Sequence, residues 1–266
     1  MKIICIKGGL GNQLFEYCRY RYLLDKNRER VFLFFDRRML KQHNNYMITD
    51  CFNIRMPKPP IYINMLVYGI KLLRTIHLFP KLYDDERPDC ILIDDYCQNT
   101  KYLTNTTRHL TFQPLHLTDD YQECLTKIQS SVFPVSVHVR RGDYLQKDNL
   151  ENFGLCSLSY YKSAIQAITE QHPEASLFFF SDDIEWTRQN FNIPDAIYIT
   201  RQDTPDYHDL YLMTKCKSHI IANSTFSYWG ALLAEHANHL CYYPLKWFIN
   251  PEWNTPDIFP KHWIGI

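Results

Sequence analysis

The sequence predicts an α/β protein made of two parallel-sheet domains, and three observations predict it. Short β-rich runs alternate with helical stretches through the second half of the chain. The first half opens the same way, with a strand, a glycine turn and a helix. Several strands then end abruptly in charged, amide or hydroxyl residues, and parallel sheets bind ligands outside the carboxyl ends of their strands.

In the second half, strands are expected over Val132–Val139, Ser176–Ser181, Ala196–Thr200, Ser218–Ala222 and Leu240–Tyr243. Helices are expected between them over Ser159–Gln171, Ile184–Asn190, Asp206–Cys216 and Phe226–Ala237. In the first half, strand Lys2–Ile6 leads through glycines to a helix from about Asn12 to Leu24, then to strand Val31–Phe35. The pattern weakens until Cys90–Asp94, another expected strand. Between them, Ile61–Pro80 is apolar and helical, with Lys71, Arg74 and His77 among its apolar residues. A helix packed on the domain core is the preferred reading, and a helix lying on a membrane surface is the alternative. A boundary near residue 130 divides the chain into domains 1–130 and 131–266, with a cleft between them.

Composition narrows the function. The 29 basic and 29 acidic residues of this 266-residue chain cancel, which argues against a broad nucleic-acid surface and leaves anion recognition to local groups. The nine cysteines are scattered without a CxxC pair, as expected for reduced, buried thiols. The opening MKIICIKGG lacks the apolar core of a signal peptide, and no run of about eighteen apolar residues follows. A cytoplasmic enzyme is the expectation.

Three strand ends carry the chemistry. In PVSVHVRRGDY, alternation puts Val135, Val137 and Val139 on one face and Ser136, His138 and Arg140 on the other. Arg141 points the opposite way, and Gly142 permits the turn that presents Asp143. A guanidinium at a strand end suits a diphosphate, because its planar fork holds two oxygens at once; a structural pair with Asp143 would explain it more plainly. In FFFSDDIEW, an apolar strand stops at Ser181, Asp182 and Asp183. A carboxylate there could read guanine, the pair could hold a metal, or the residues could simply cap the next helix. In IIANSTFSYWG, Asn223, Ser224 and Thr225 fall between strand and helix, where free backbone N–H groups favour phosphate. The amino-terminal IKGGLGNQLF displays Asn12 beside a glycine turn. It breaks the dinucleotide fingerprint, because Leu14 stands where the third glycine belongs.

Together, GGLGNQLFEY, HVRRGDY, FFFSDD and HIIANSTFSYWGALLA resemble glycosyltransferase family 11, the α-1,2-fucosyltransferases, over residues 8–234. The resemblance implies a GT-B fold: two Rossmann-like domains, the first facing the acceptor and the second holding GDP-β-L-fucose. It also implies inversion at the anomeric carbon and no metal or other cofactor. Under it, Arg140 would bind the β-phosphate, and His138 would support that arginine or lie near the guanosine. Asp182 would read guanine, and Ser224, Thr225 and Phe226 would line the nucleotide pocket. Asn12 would reach the donor from the opposite domain. The acceptor implied is a terminal galactose, and Asp143 is a candidate general base. Tyr228 and Cys18 stand where relatives often carry Trp and Ala, as packing changes. The closest alternative activity is α-1,6- or protein O-fucosylation, which shares an HxR strand.

Rivals from other classes fit less well. A metal-dependent transferase built on Asp182 and Asp183 leaves HVRRGDY without a role. A dehydrogenase lacks its third glycine and its acidic partner, and a non-catalytic carbohydrate module gives no reason for arginines and hydroxyls to converge on strand ends. Acceptor choice is assigned to loops such as Arg37–Pro60, and peripheral membrane contact to Ile61–Pro80.

Overall fold

The computed structural model describes residues 1–26, 30–41, 47–84, 87, 89–103, 107, 110–200, 204–234, 239–253 and 257–266. They divide into two units, Met1–Pro114 and Leu115–Ile266.

In the first unit, strand β1 (Lys2–Ile6) runs into helix α1 (Leu10–Lys26) and is followed by β2 (Val31–Phe35). Short helices α2 (Arg37–Lys41) and α3 (Ile48–Cys51), the longer α4 (Ile61–Thr75) and strand β3 (Leu92–Ile93) complete it. The sheet order is β2-β1-β3, parallel throughout. Strand β1 reads KIICI because it is buried on both faces, the usual condition of a central parallel strand. Ile3, Cys5, Phe34 and Leu92 pack beneath Ile63, Val67 and Ile70 of α4. Gly8 turns the chain from β1 into α1 with a φ of +72°, a conformation that favours glycine.

The second unit begins with α5 (Asp119–Ser130) and β4 (Phe133–Val139), then α6 (Lys147–Asn152) and α7 (Leu158–Gln171). It continues through β5 (Ala175–Ser181), α8 (Ile184–Phe191), β6 (Ile197–Tyr198) and α9 (Tyr207–Thr214). Strand β7 (Ser218–Ile220), α10 (Thr225–Leu232), β8 (Leu240–Tyr243) and β9 (Ile264–Gly265) close it. All six strands are parallel, in the order β6-β5-β4-β7-β8-β9. This is the doubly wound order, whose direction reverses between β4 and β7.

Both faces of this sheet are covered. Val135, Val137, Val139, Leu177 and Phe179 meet Tyr161, Ala164 and Ile168 of α7. On the other face, Phe178 and Phe180 pack with Tyr121, Leu125 and Ile128 of α5 and with Leu212 and Met213 of α9. Alternation along β5 therefore sends successive phenylalanines into different cores, which explains an unbroken FFF run.

The division falls after Pro114 rather than near 130, because α5 is not a linker: its apolar stripe completes the second core. Strand β6 is shorter than expected, and β9 is an addition that apolar patterning over two residues could not reveal. Of the helix expected over Phe226–Ala237, residues 235–237 lie outside the described residues. None of the nine cysteines is in a disulfide, and all but Cys124 and Cys156 are buried. Among the described residues, no helix is long and apolar enough to cross a membrane.

Candidate functional site

The carboxyl ends of β4 and β7 lie side by side at the point where the strand order reverses. Val137 is in register with Ile220, so Arg140 and Asn223 follow at equal distances along the two chains. Alternation works as expected: the valines of β4 enter the core beneath α7, while Ser136 bonds the ring Nδ1 of His219 at 2.7 Å and His138 lies 5.9 Å from the Phe226 ring. His138 is buried, and its carbonyl accepts from the Tyr161 hydroxyl at 3.1 Å.

The two arginines have different surroundings. Arg140 is held between two carboxylates, with Nη2 2.6 Å from Asp143 Oδ1 and Nη1 3.0 Å from Asp182 Oδ2. Its side chain remains 28% exposed, so its fork can still meet a ligand. Arg141 lies over the indole of Trp186, 3.6 Å from the ring centroid, and its Nε pairs with Asp183 Oδ2 at 3.1 Å. It is tied into the sheet edge and α8.

The two aspartates ending β5 diverge as well. Asp182 accepts from the Arg141 backbone N–H at 2.8 Å through Oδ1 and meets Arg140 through Oδ2. Asp183 caps α8 by accepting from the Trp186 N–H at 3.3 Å, and the Ser181 hydroxyl accepts from the Asp183 N–H at 3.0 Å. Among the described residues, no three His, Cys, Asp or Glu side chains gather as a metal set. Gly142 is required for a different reason from the one expected. Its backbone is not in the left-handed region; instead, a β-carbon there would collide with the Asp182 carboxylate.

On the β7 side, Asn223 is an anchor. Its Nδ2 donates to the carbonyls of Phe153 at 2.9 Å and Trp247 at 3.3 Å, while the Cys156 thiol donates to its Oδ1 at 3.4 Å. Burial pushes the Cys156 thiol up to about 11, so it is neutral. The Ser224 hydroxyl accepts from the Phe226 N–H at 3.3 Å and caps α10, and Thr225 and Phe226 form its half-buried first turn. Tyr144, the last residue of HVRRGDY, donates its hydroxyl to the Asn223 carbonyl at 3.1 Å. The arginine and hydroxyl motifs are thereby joined.

Asn12 belongs to the first unit. Its Oδ1 accepts from Gln98 Nε2 at 3.1 Å beside the Gly8 turn. Sequence reasoning missed the charged cluster at this sheet's carboxyl ends. Lys7 Nζ lies 2.9 Å from Asp94 Oδ1, and Lys71 Nζ lies 2.8 Å from Asp36 and 3.6 Å from Asp94. Burial opposes the charge on Asp94, yet Lys7 and Lys71 outweigh it and hold the carboxyl below its usual range. The available signal was positional, since Asp36 and Asp94 each follow a strand directly, as Asp182 does. Buried Glu16 on α1 accepts from the Lys7 N–H at 2.9 Å, and burial raises its carboxyl well above the usual range.

Comparison with known proteins places this geometry. Residues 114–266 match the family described as Glycosyl transferase family 11. An alpha-1,2-colitosyltransferase of Escherichia coli is 30% identical over 98% of this chain and 97% of its own. A galactoside alpha-(1,2)-fucosyltransferase 1 of Saimiri boliviensis boliviensis is 31% identical over 45% of this chain and 35% of its own. The crystal structure of NodZ alpha-1,6-fucosyltransferase soaked with GDP-fucose superposes with a TM-score of 0.50 at 16% identity, covering 87% of this chain and 91% of that one. At that identity the likeness speaks for the fold, which is the GT-B type expected. The match to the second unit and the near full-length similarity to the colitosyltransferase lead to one conclusion: this chain belongs to glycosyltransferase family 11.

Proposed function

We propose that the chain transfers L-fucose from GDP-β-L-fucose to the 2-hydroxyl of a terminal β-galactoside, with inversion and without a divalent metal. One observation carries the reading. Arg140 directly follows β4 where the strand order reverses, beside the Ser224-capped start of α10. A forked cation and a helix amino terminus at one crevice suit a diphosphate.

As the C1–O bond of fucose breaks, negative charge collects on the departing GDP. Arg140 and the amino terminus of α10 stabilise it there, the task a metal performs elsewhere. Asp182 and Asp183 are engaged by Arg140 and Arg141, which favours the arginine over the metal mechanism. In this proposal the second unit holds GDP, Phe226 and Thr225 line its pocket, and His138 backs Arg140. The first unit meets the glycan. Asp182 would read guanine only by giving up one of its present partners, so its first role is to fix Arg140. Asp143 is the candidate base: a diphosphate taking Arg140 would release it to accept the proton of the attacking hydroxyl.

A second reading keeps the site and changes the sugar, because the relative at 30% identity over nearly the whole chain transfers colitose. Colitose is fucose without its 3-hydroxyl, and a site that hydrogen-bonds that hydroxyl discriminates against its absence.

The test is transfer from GDP-fucose to lactose or N-acetyllactosamine with excess EDTA, comparing wild type with Arg140→Ala. An EDTA-resistant α-1,2-linked product, lost in the variant, is expected. Loss with EDTA, or survival without Arg140, overturns the mechanism. A strong preference for GDP-colitose in direct competition replaces the donor while leaving the site intact.

A further inference from the structure

Helix α4 has two apolar faces, and only one is covered. Ile63, Val67 and Ile70 point into the first core. On the opposite side Ile61, Met65, Tyr68, Leu72 and Ile76 follow one another at helical spacing, with Tyr68 also meeting the Phe34 ring edge-on at 5.6 Å. They are 78, 70, 66, 65 and 56% exposed. Leu78 and Phe79, just past the helix end, are exposed as well. Scattered surface leucines need no explanation, but a continuous stripe of this length does.

Charge identifies what covers it. No acidic residue occurs between Asp50 and Asp84, whereas Arg55, Lys58, Lys71, Arg74 and Lys81 do. Lys71 and Arg74 are turned to Asp36 and Asp94. Arg55, Lys58 and Lys81 stay exposed, and Lys58 and Lys81 bracket the stripe at either end. In a chain with no net charge, an apolar stripe that itself holds no acid, with Arg55 and Lys58 exposed at its start and Lys81 standing before the acidic run Asp84, Asp85 and Glu86 at its end, is complementary to anionic headgroups above acyl chains. A second copy of the chain fits poorly, because antiparallel pairing of two such helices would set Lys58 against the other Lys81. The helix has 15 residues, short of the ~20 that span a bilayer, so it would lie in the surface.

The geometry points to the outer face of α4 as a membrane-docking surface that inserts Ile61, Met65, Tyr68, Leu72 and Ile76 into an anionic lipid interface. This goes beyond the proposed transfer reaction and does not depend on it.

Co-sedimentation with vesicles of phosphatidylglycerol and phosphatidylethanolamine, against phosphatidylcholine alone, tests it on the full chain. Wild type is expected to bind the anionic vesicles and not the neutral ones. Met65→Gln/Leu72→Gln removes apolar area from exposed positions while keeping good helix formers, and should weaken binding at least tenfold. Lys58→Glu/Lys81→Glu should weaken it comparably, and more at low salt. Unchanged melting temperatures and unchanged transfer to a soluble acceptor show that each variant is folded. No binding by wild type, or binding indifferent to the stripe, overturns the proposal. So does a wild-type dimer in solution that Met65→Gln/Leu72→Gln converts to monomer, which would assign the face to self-association.

Discussion

Arg140 and Asp182 close the ends of neighbouring parallel strands one residue beyond the Val139–Ser181 rung, joined by a 3.0 Å ion pair. The pair sets the direction of the guanidinium before any ligand arrives. Arg140→Ala should cut kcat by about 10²–10³-fold, the usual loss when one preorganised charge stabiliser is removed. Arg140→Lys should recover only part of it, because an ammonium cannot hold two oxygens in a fork. Steady-state transfer kinetics check both.

Arg141 should behave differently despite standing next in the sequence. Its stack on Trp186 and its pair with Asp183 join β4 to α8. Arg141→Ala should lower stability by about 1–2 kcal/mol and change kcat far less than Arg140→Ala. Urea unfolding and kinetics on the same two preparations separate the roles.

Gly142→Ala should impair turnover with little loss of stability. The added methyl meets the Asp182 carboxylate, which must swing away and take Arg140 with it. The loss should fall on kcat/KM for the donor, and a second change, Asp182→Ala, should add little to it. Full additivity of the two changes would show that the methyl acts elsewhere.

Asn223→Ala should destabilise the second unit by about 1–3 kcal/mol, since it leaves buried carbonyls at Phe153 and Trp247 without their donor. The turn that presents Ser224 should loosen, raising donor KM. Thermal melts and donor titrations check this.

Glu16 makes a pH-dependent prediction. Its folded carboxyl lies well above the ordinary value because burial disfavours its charge, so the folded state binds a proton that the unfolded chain releases. Stability from this group is therefore full below the unfolded carboxylate range and falls as pH rises toward the folded value. Glu16→Gln should raise the melting temperature by a few degrees at neutral pH and change it little near pH 4. An equal shift at both pH values would mean that the carboxyl is not the cause.

Much of this was legible in the sequence. Strand β4 and helix α7 were legible because each presents a regular apolar face to a core, and β5 because its short apolar run serves two cores. HVRRGDY and ANST could be placed on strand ends for the same reason. Partners were not legible. Nothing in the order of residues says that Asp182 meets Arg140, forty-two positions away in the chain, since that depends on the register of two strands. The need for Gly142 was visible, but its cause was a neighbour across the sheet rather than a local turn. A boundary near residue 130 leaves α5 outside the second unit, because its apolar residues are few and its core partners lie far along the chain.

The reversal of strand order has a thermodynamic consequence. The six-stranded sheet consists of two three-stranded halves whose strands pair with each other along the seam between β4 and β7, through Val135–Ser218, Ser136–His219 and Val137–Ile220. One half carries the arginines and carboxylates, the other the amide and hydroxyls. A ligand held by both, as proposed, would act as a staple across the seam. Its binding energy becomes folding energy: at a hundred times Kd it adds about 2.7 kcal/mol to stability. Melting temperature against nucleotide concentration would therefore report whether the seam is intact.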